Sequence, residues 1–115
     1  MTYEFPARLR AMQLQLHRVQ AAHRRLCSEL PWSVEPMEGW EASDHRYSHR
    51  GDVPASPGYT PEQKQARARL DRRLLRLATA IGTHPFWGTV EAEKRVAARM
   101  ALKRITAVTP DPGEG

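Results

Sequence analysis

Phe5-Pro6-Ala7-Arg8-Leu9-Arg10-Ala11-Met12-Gln13-Leu14-Gln15-Leu16-His17-Arg18-Val19-Gln20-Ala21-Ala22-His23-Arg24-Arg25-Leu26-Cys27-Ser28-Glu29-Leu30 is the stretch that decides the fold class. Within it Phe5, Leu9, Met12, Leu16, Val19, His23, Leu26 and Leu30 follow one another at alternating steps of four and three. Side chains repeating every 3.5 residues line one stripe of a helix, and an apolar stripe must be buried against another helix. Every position of the seam is apolar except His23. The seam predicts a helix over about residues 4–30, opening near Pro6, which a first turn tolerates. It closes at Leu30 because Pro31 disfavours helical geometry in the residue before it. At 1.5 Å per residue this is a rod of roughly 37 Å.

A second helix is predicted over 61–81. Thr60-Pro61-Glu62-Gln63 places a hydroxyl at the cap, proline at the first helical position and glutamine three residues after the cap, which is a capping box. Leu70, Leu74, Leu77 and Ile81 again step by four, three and four, and Gly82 offers a C-terminal stop. A third helix is predicted over 90–107, carrying Val96, Met100, Leu102 and Ile105 and ending before Pro110. Only Thr83 to Gly88 separates the second helix from the third, so these two are expected to pair as an antiparallel hairpin. Residues 31–59 form a long loop, a length that is functional or partly ordered when it occurs in a compact domain. Trp32, Val34, Met37 and Trp40 carry too much apolar surface for a solvated linker, so residues 31–40 are expected to lie across the bundle. Residues 42–57 are polar and rich in proline, and are the expected mobile part. The fold class is therefore all-α: a three-helix bundle with a long first helix, a partly ordered loop and a C-terminal helical hairpin. It forms a single domain over 1–109 with a flexible tail at 110–115.

The chain has 115 residues, one cysteine and a formal charge of +5. That length supports one modest core. No run approaches the ~18 apolar residues of a membrane span, and Met1 to Pro6 has neither the basic region nor the apolar core of a secretory signal. A single cysteine excludes an intramolecular disulfide and fits a reducing, cytoplasmic setting. Arginine outnumbers lysine 15 to 3, which reads as the codon bias of a GC-rich bacterial genome. The positive charge therefore weighs little by itself as a sign of nucleic-acid binding.

Candidate chemistry is sparse. His45 and His49 have the spacing of two ligands on one helix face, but no third ligand pattern accompanies them, so no metal is expected. Arg50-Gly51-Asp52 is a chance tripeptide. Cys27 reads as a small buried or boundary residue rather than a nucleophile. His23 has two readings. As a polar seam residue it would fix register; at the bundle edge it would be satisfied by water or a carbonyl, and the edge reading is favoured. The turn Thr83-His84-Pro85-Phe86-Trp87-Gly88 reads as an aromatic plug rather than a ligand pocket. Two basic clusters, Arg69, Arg72, Arg73 and Arg76 on the second helix and Arg95, Arg99 and Lys103 on the third, would make one positive surface if the helices lay side by side. No glycine-rich phosphate loop, zinc finger or nucleophile motif is present, and the carboxylates of the loop form no catalytic pattern.

These features point to a non-enzymatic protein-interaction module without cofactor. It is expected to self-associate as a homodimer through the seam Leu9, Met12, Leu16, Val19, His23 and Leu26. A small basic nucleic-acid-binding protein is the alternative.

Overall fold

The computed structural model describes residues 3–41 and 51–106, and three α-helices with two short 3-10 helices account for its helical structure. α1 spans Ala7–Glu29. Pro6 sits at its N-cap rather than inside its first turn, and its carbonyl accepts from the Arg10 amide at 3.0 Å. The helix stops where Leu30 turns extended ahead of Pro31, the geometry proline imposes on its predecessor. α2 spans Pro61–Gly82. The Thr60 hydroxyl accepts from the Gln63 amide at 3.1 Å, and the Gln63 side-chain oxygen accepts from the Thr60 amide at 2.8 Å. Both halves of the capping box are therefore made.

The two long helices run antiparallel. Leu9, near the start of α1, shares the core with Ile81 at the end of α2. Further along, His23 of α1 meets Asp71 of α2. α1 against α2 is the principal contact of the fold.

α3 is shorter than the periodicity predicts. Residues Pro85–Thr89 form a 3-10 helix, Val90 and Glu91 are extended, and Ala92–Lys94 make a further 3-10 turn. Only Arg95–Lys103 remain for α3. It meets the end of α2 near Ile81 and Gly82 instead of running along it. Successive residues of a helix are turned by about 100°, so a nine-residue helix that buries Ala98 and Leu102 must point Val96 and Met100 the other way. Val96 is accordingly 73 % exposed and Met100 46 %.

The core lies at one end of the helix pair. Leu9, Ile81, Trp87, Ala98 and Leu102 are buried there, with Tyr3, Phe5, Met12, Leu16, Phe86, Val90 and Ile105 packed around them. The aromatic turn plugs this end. The Phe86 and Trp87 rings meet edge to face at 5.4 Å, and Phe5 meets Phe86 at 5.5 Å. The buried Trp87 Nε1 donates to the Ile81 carbonyl at 2.6 Å, so its polar atom is satisfied at the helix end where carbonyls lack partners.

The opposite end carries the loop, and here the expectations are corrected. Residues 31–40 do not lie buried across the bundle, since Trp32, Val34 and Met37 are all exposed. They pair instead with residues 53–56, part of the segment expected to be mobile. Met37 and Ser56 exchange both amide hydrogen bonds at 2.9 and 2.8 Å, and Trp40 and Val53 do so at 2.8 and 2.7 Å. Trp32 Nε1 donates to the Pro54 carbonyl at 2.8 Å. Gly39 permits the closest approach, because a Cβ there would collide with the Val53 carbonyl oxygen. Its absence of a side chain lets the two segments pair. The His45 and His49 pair, Arg50, and the tail 110–115 lie outside the described residues.

Candidate interaction surface

The seam of α1 is only partly consumed inside the chain. Leu9 and Val19 are buried, at 0 % and 3 % exposure, whereas Met12, Leu16, His23 and Leu26 are half-buried. On α2, Ile81 is buried, Leu70, Leu74 and Leu77 are half-buried, and Leu75 is 70 % exposed. A helix pair without a third layer covers one stripe of each helix and leaves the flanks of that stripe open. α3 supplies such a layer only at the aromatic end. Gln13 was not legible as a core residue, yet it is buried, with its Nε2 2.9 Å from Nε2 of His17 one turn on.

In mid-seam, the half-buried His23 meets a carboxylate rather than a carbonyl. Its Nε2 lies 3.0 Å from Asp71 Oδ1, a bridge between α1 and α2. Arg67, one turn earlier on α2, reaches the other carboxylate oxygen at 3.9 Å. On the far side of the ring, Nδ1 lies 3.7 Å from Cys27 Sγ. Cys27, read as a small buried or boundary residue, is exposed. The i, i+4 spacing of His23 and Cys27 was visible in the sequence; the third member, Asp71, stands 48 residues away from His23.

The charged faces separate. Arg69, Arg72, Arg73 and Arg76 are all exposed, form one stripe of α2 by their three- and four-residue spacing, and make no ion pair with a described residue. The third-helix cluster is different. The Arg99 guanidinium lies 4.4 Å above the Trp87 ring and is part-buried, so it belongs to the plug. Arg95 Nε donates to the Val90 carbonyl at 2.9 Å, bracing the extended step before α3. Lys103 is exposed. Of the third-helix cluster, Arg99 is drawn into the fold, whereas Arg95 and Lys103 remain exposed.

Where the loop meets α2, Val34, Tyr59, Lys64, Arg67, Ala68 and Asp71 line an open cleft of about 300 Å³. The Arg67 Nη1 donates to the Tyr59 hydroxyl at 2.7 Å across its floor. Among the described residues, no three His, Cys, Asp or Glu side chains are placed to hold a metal ion, and no helix is long and apolar enough to cross a membrane.

The chain belongs to the family described as a domain of unknown function (DUF8825), which it matches over residues 8–105. The match takes in almost all of α1, the loop, α2, the aromatic turn and α3. No curated protein and no solved structure matches the chain.

Proposed function

We propose that this member of the family is a self-associating helical module, in which a second copy seats against the open flank of the α1–α2 pair. The observation that carries this reading is the mismatch between seam and core. The 23-residue α1 presents an apolar seam along its length, and the 22-residue α2 presents one over its second half, from Leu70 to Ile81. Yet among the described residues only six hydrophobic side chains are buried, and five of them cluster at one end. A helix pair whose buried side chains gather at one end buries too little apolar surface to offset its conformational entropy comfortably. A second helix pair laid on the first would bury Leu16, Leu26, Leu70, Leu74 and Leu77 as a four-helix arrangement does.

Sedimentation equilibrium at tens of micromolar tests it. A particle of twice 13.1 kDa is expected, losing its second copy when Leu16 and Leu74 are both replaced by glutamine. A species of 13.1 kDa at every concentration rejects the reading.

A second reading rests on the arginine stripe of α2. Four guanidinium groups on one exposed face, none in an ion pair with a described residue, suit a phosphate backbone, and such binding weakens steeply with salt because counterions are released. Light scattering with a random duplex at 50 mM salt is the test, and no complex at that ionic strength ends it. Arg99 belongs to the fold, so the informative charge reversals are confined to Arg69, Arg72, Arg73 and Arg76.

A further inference from the structure

Cys27, His23 and Asp71 form a connected row across the α1–α2 contact, whose chemistry neither the self-association nor the arginine stripe calls on. The direction of the hydrogen bonds in the row is determined by chemistry. A carboxylate only accepts, so the 3.0 Å contact places a proton on His23 Nε2, donated to Asp71 Oδ1. In the neutral ring the other nitrogen is then an acceptor. That nitrogen, Nδ1, is the atom 3.7 Å from Cys27 Sγ. Asp71 thus selects the tautomer that points a lone pair at the thiol, the arrangement by which an activated nucleophile is recognised. Arg67 reaches the second oxygen of Asp71 at 3.9 Å, which helps to hold the carboxylate in place. The thiol itself is open to solvent.

We propose that Cys27 is a redox-modification site that forms mixed disulfides with low-molecular-weight disulfides, with His23 as proton acceptor and Asp71 as the residue positioning the ring. The Cys27 proton passes to His23 Nδ1 while Sγ attacks one sulfur of the incoming disulfide. A new S–S bond forms at Cys27 and the old one breaks. Its electron pair leaves on the second sulfur, which collects the proton from His23. Cys27 is oxidised to the mixed disulfide and the reagent is reduced to one equivalent of thiol, so the exchange needs no other oxidant.

The test is the rate of reaction with dithiodipyridine at pH 7, followed by release of the pyridinethione and by intact mass. Rates are taken at limiting dilution, so that an assembly covering Cys27 does not enter. Each protein is compared with itself unfolded in urea, which isolates what the fold adds. The native wild type is expected to react about ten-fold or more faster than its unfolded chain. His23→Ala should bring that ratio to about one or below. Asp71→Asn, which removes the charge but keeps a side chain of the same shape at a half-exposed site, should lose most of it with the circular dichroism spectrum unchanged. A bridge that merely joined α1 to α2 would alter the melting temperature in these variants and leave the ratio alone. A native wild-type rate no greater than that of the unfolded chain, or a ratio that survives both substitutions, overturns the proposal. If His23→Ala fails to fold, the wild-type ratio and the Asp71→Asn variant still decide it.

Discussion

Arg99 lies over the face of Trp87, its guanidinium carbon 4.4 Å from the ring centre, while its Nη2 reaches the Gly82 carbonyl at 3.4 Å. One side chain of α3 therefore covers the aromatic plug and touches the last residue of α2, where carbonyls lack helical partners. A cation stacked on indole contributes about 0.5–2 kcal/mol, and the arginine stem adds packing. Arg99→Ala should cost roughly 1–2 kcal/mol in urea denaturation. Arg72→Ala, on the exposed stripe of α2, should stay within about 0.5 kcal/mol. Equal effects of the two would mean that Arg99 is an ordinary surface charge.

Leu9 is the most completely buried large side chain of the seam, at 0 % exposure, enclosed by Ile81, Trp87, Ala98 and Leu102. Leu9→Ala should destabilise by about 2–5 kcal/mol, the range for a leucine cavity in a packed core. Periodicity alone assigns the same cost to Leu16, but Leu16 is only half-buried in the single chain. Its alanine variant should cost about 1–2 kcal/mol at low protein concentration. If self-association covers it, that cost should rise with concentration. Measuring both variants across a hundred-fold range of concentration separates a core position from an interface position.

Thr60→Ala should lower stability by about 1 kcal/mol, because the Gln63 amide loses its acceptor. Thr60→Ser keeps the acceptor and should recover most of it. Amide exchange provides the local readout: faster exchange in the first turn of α2 with α1 protection intact. Uniform acceleration across both helices would instead mean that the cap supports the whole antiparallel pair.

The parts of this fold that were readable in the sequence are those set by local rules. The seam of α1 and the stop at Leu30 follow from periodicity and from Pro31. The start of α2 follows from Thr60, Pro61 and Gln63, and the aromatic plug from Phe86 and Trp87. What escaped depends on tertiary register. Asp71 finds His23 only because α1 and α2 are antiparallel with one particular offset, and no local pattern encodes that offset. The Met37–Ser56 and Trp40–Val53 pairs are two isolated bridges, too short to show a period-two alternation. The late start of α3 was hidden because Val90 and Glu91 carry no glycine or proline to announce the break. Arg99 repeats at four from Arg95 like any solvated charge, and nothing in that spacing reveals the Trp87 ring beneath it.

The last prediction concerns Gly58, the only described residue with positive φ, at 77°. Two separate obstacles stand against a side chain there. Left-handed backbone favours glycine, and a Cβ would lie 2.7 Å from the Pro36 nitrogen and 2.9 Å from the Glu35 carbonyl carbon. Both neighbours are backbone atoms and cannot swing aside. Gly58 is followed by Tyr59, whose amide donates to the Val34 carbonyl at 2.8 Å and whose hydroxyl accepts from Arg67. Gly58 therefore holds the turn that brings residues 34–36 against the start of α2. Gly58→Ala should cost about 1–3 kcal/mol, and the loss should be local. The expected signature is faster protease cleavage within residues 31–41 and altered tryptophan fluorescence from the Trp32–Trp40 pair, whose rings meet at 5.7 Å. Helical circular dichroism should be retained, because the core at Leu9, Ile81 and Trp87 lies at the other end of the helix pair. Global loss of helicity in this variant would show that the loop and the helical core fold as one cooperative unit.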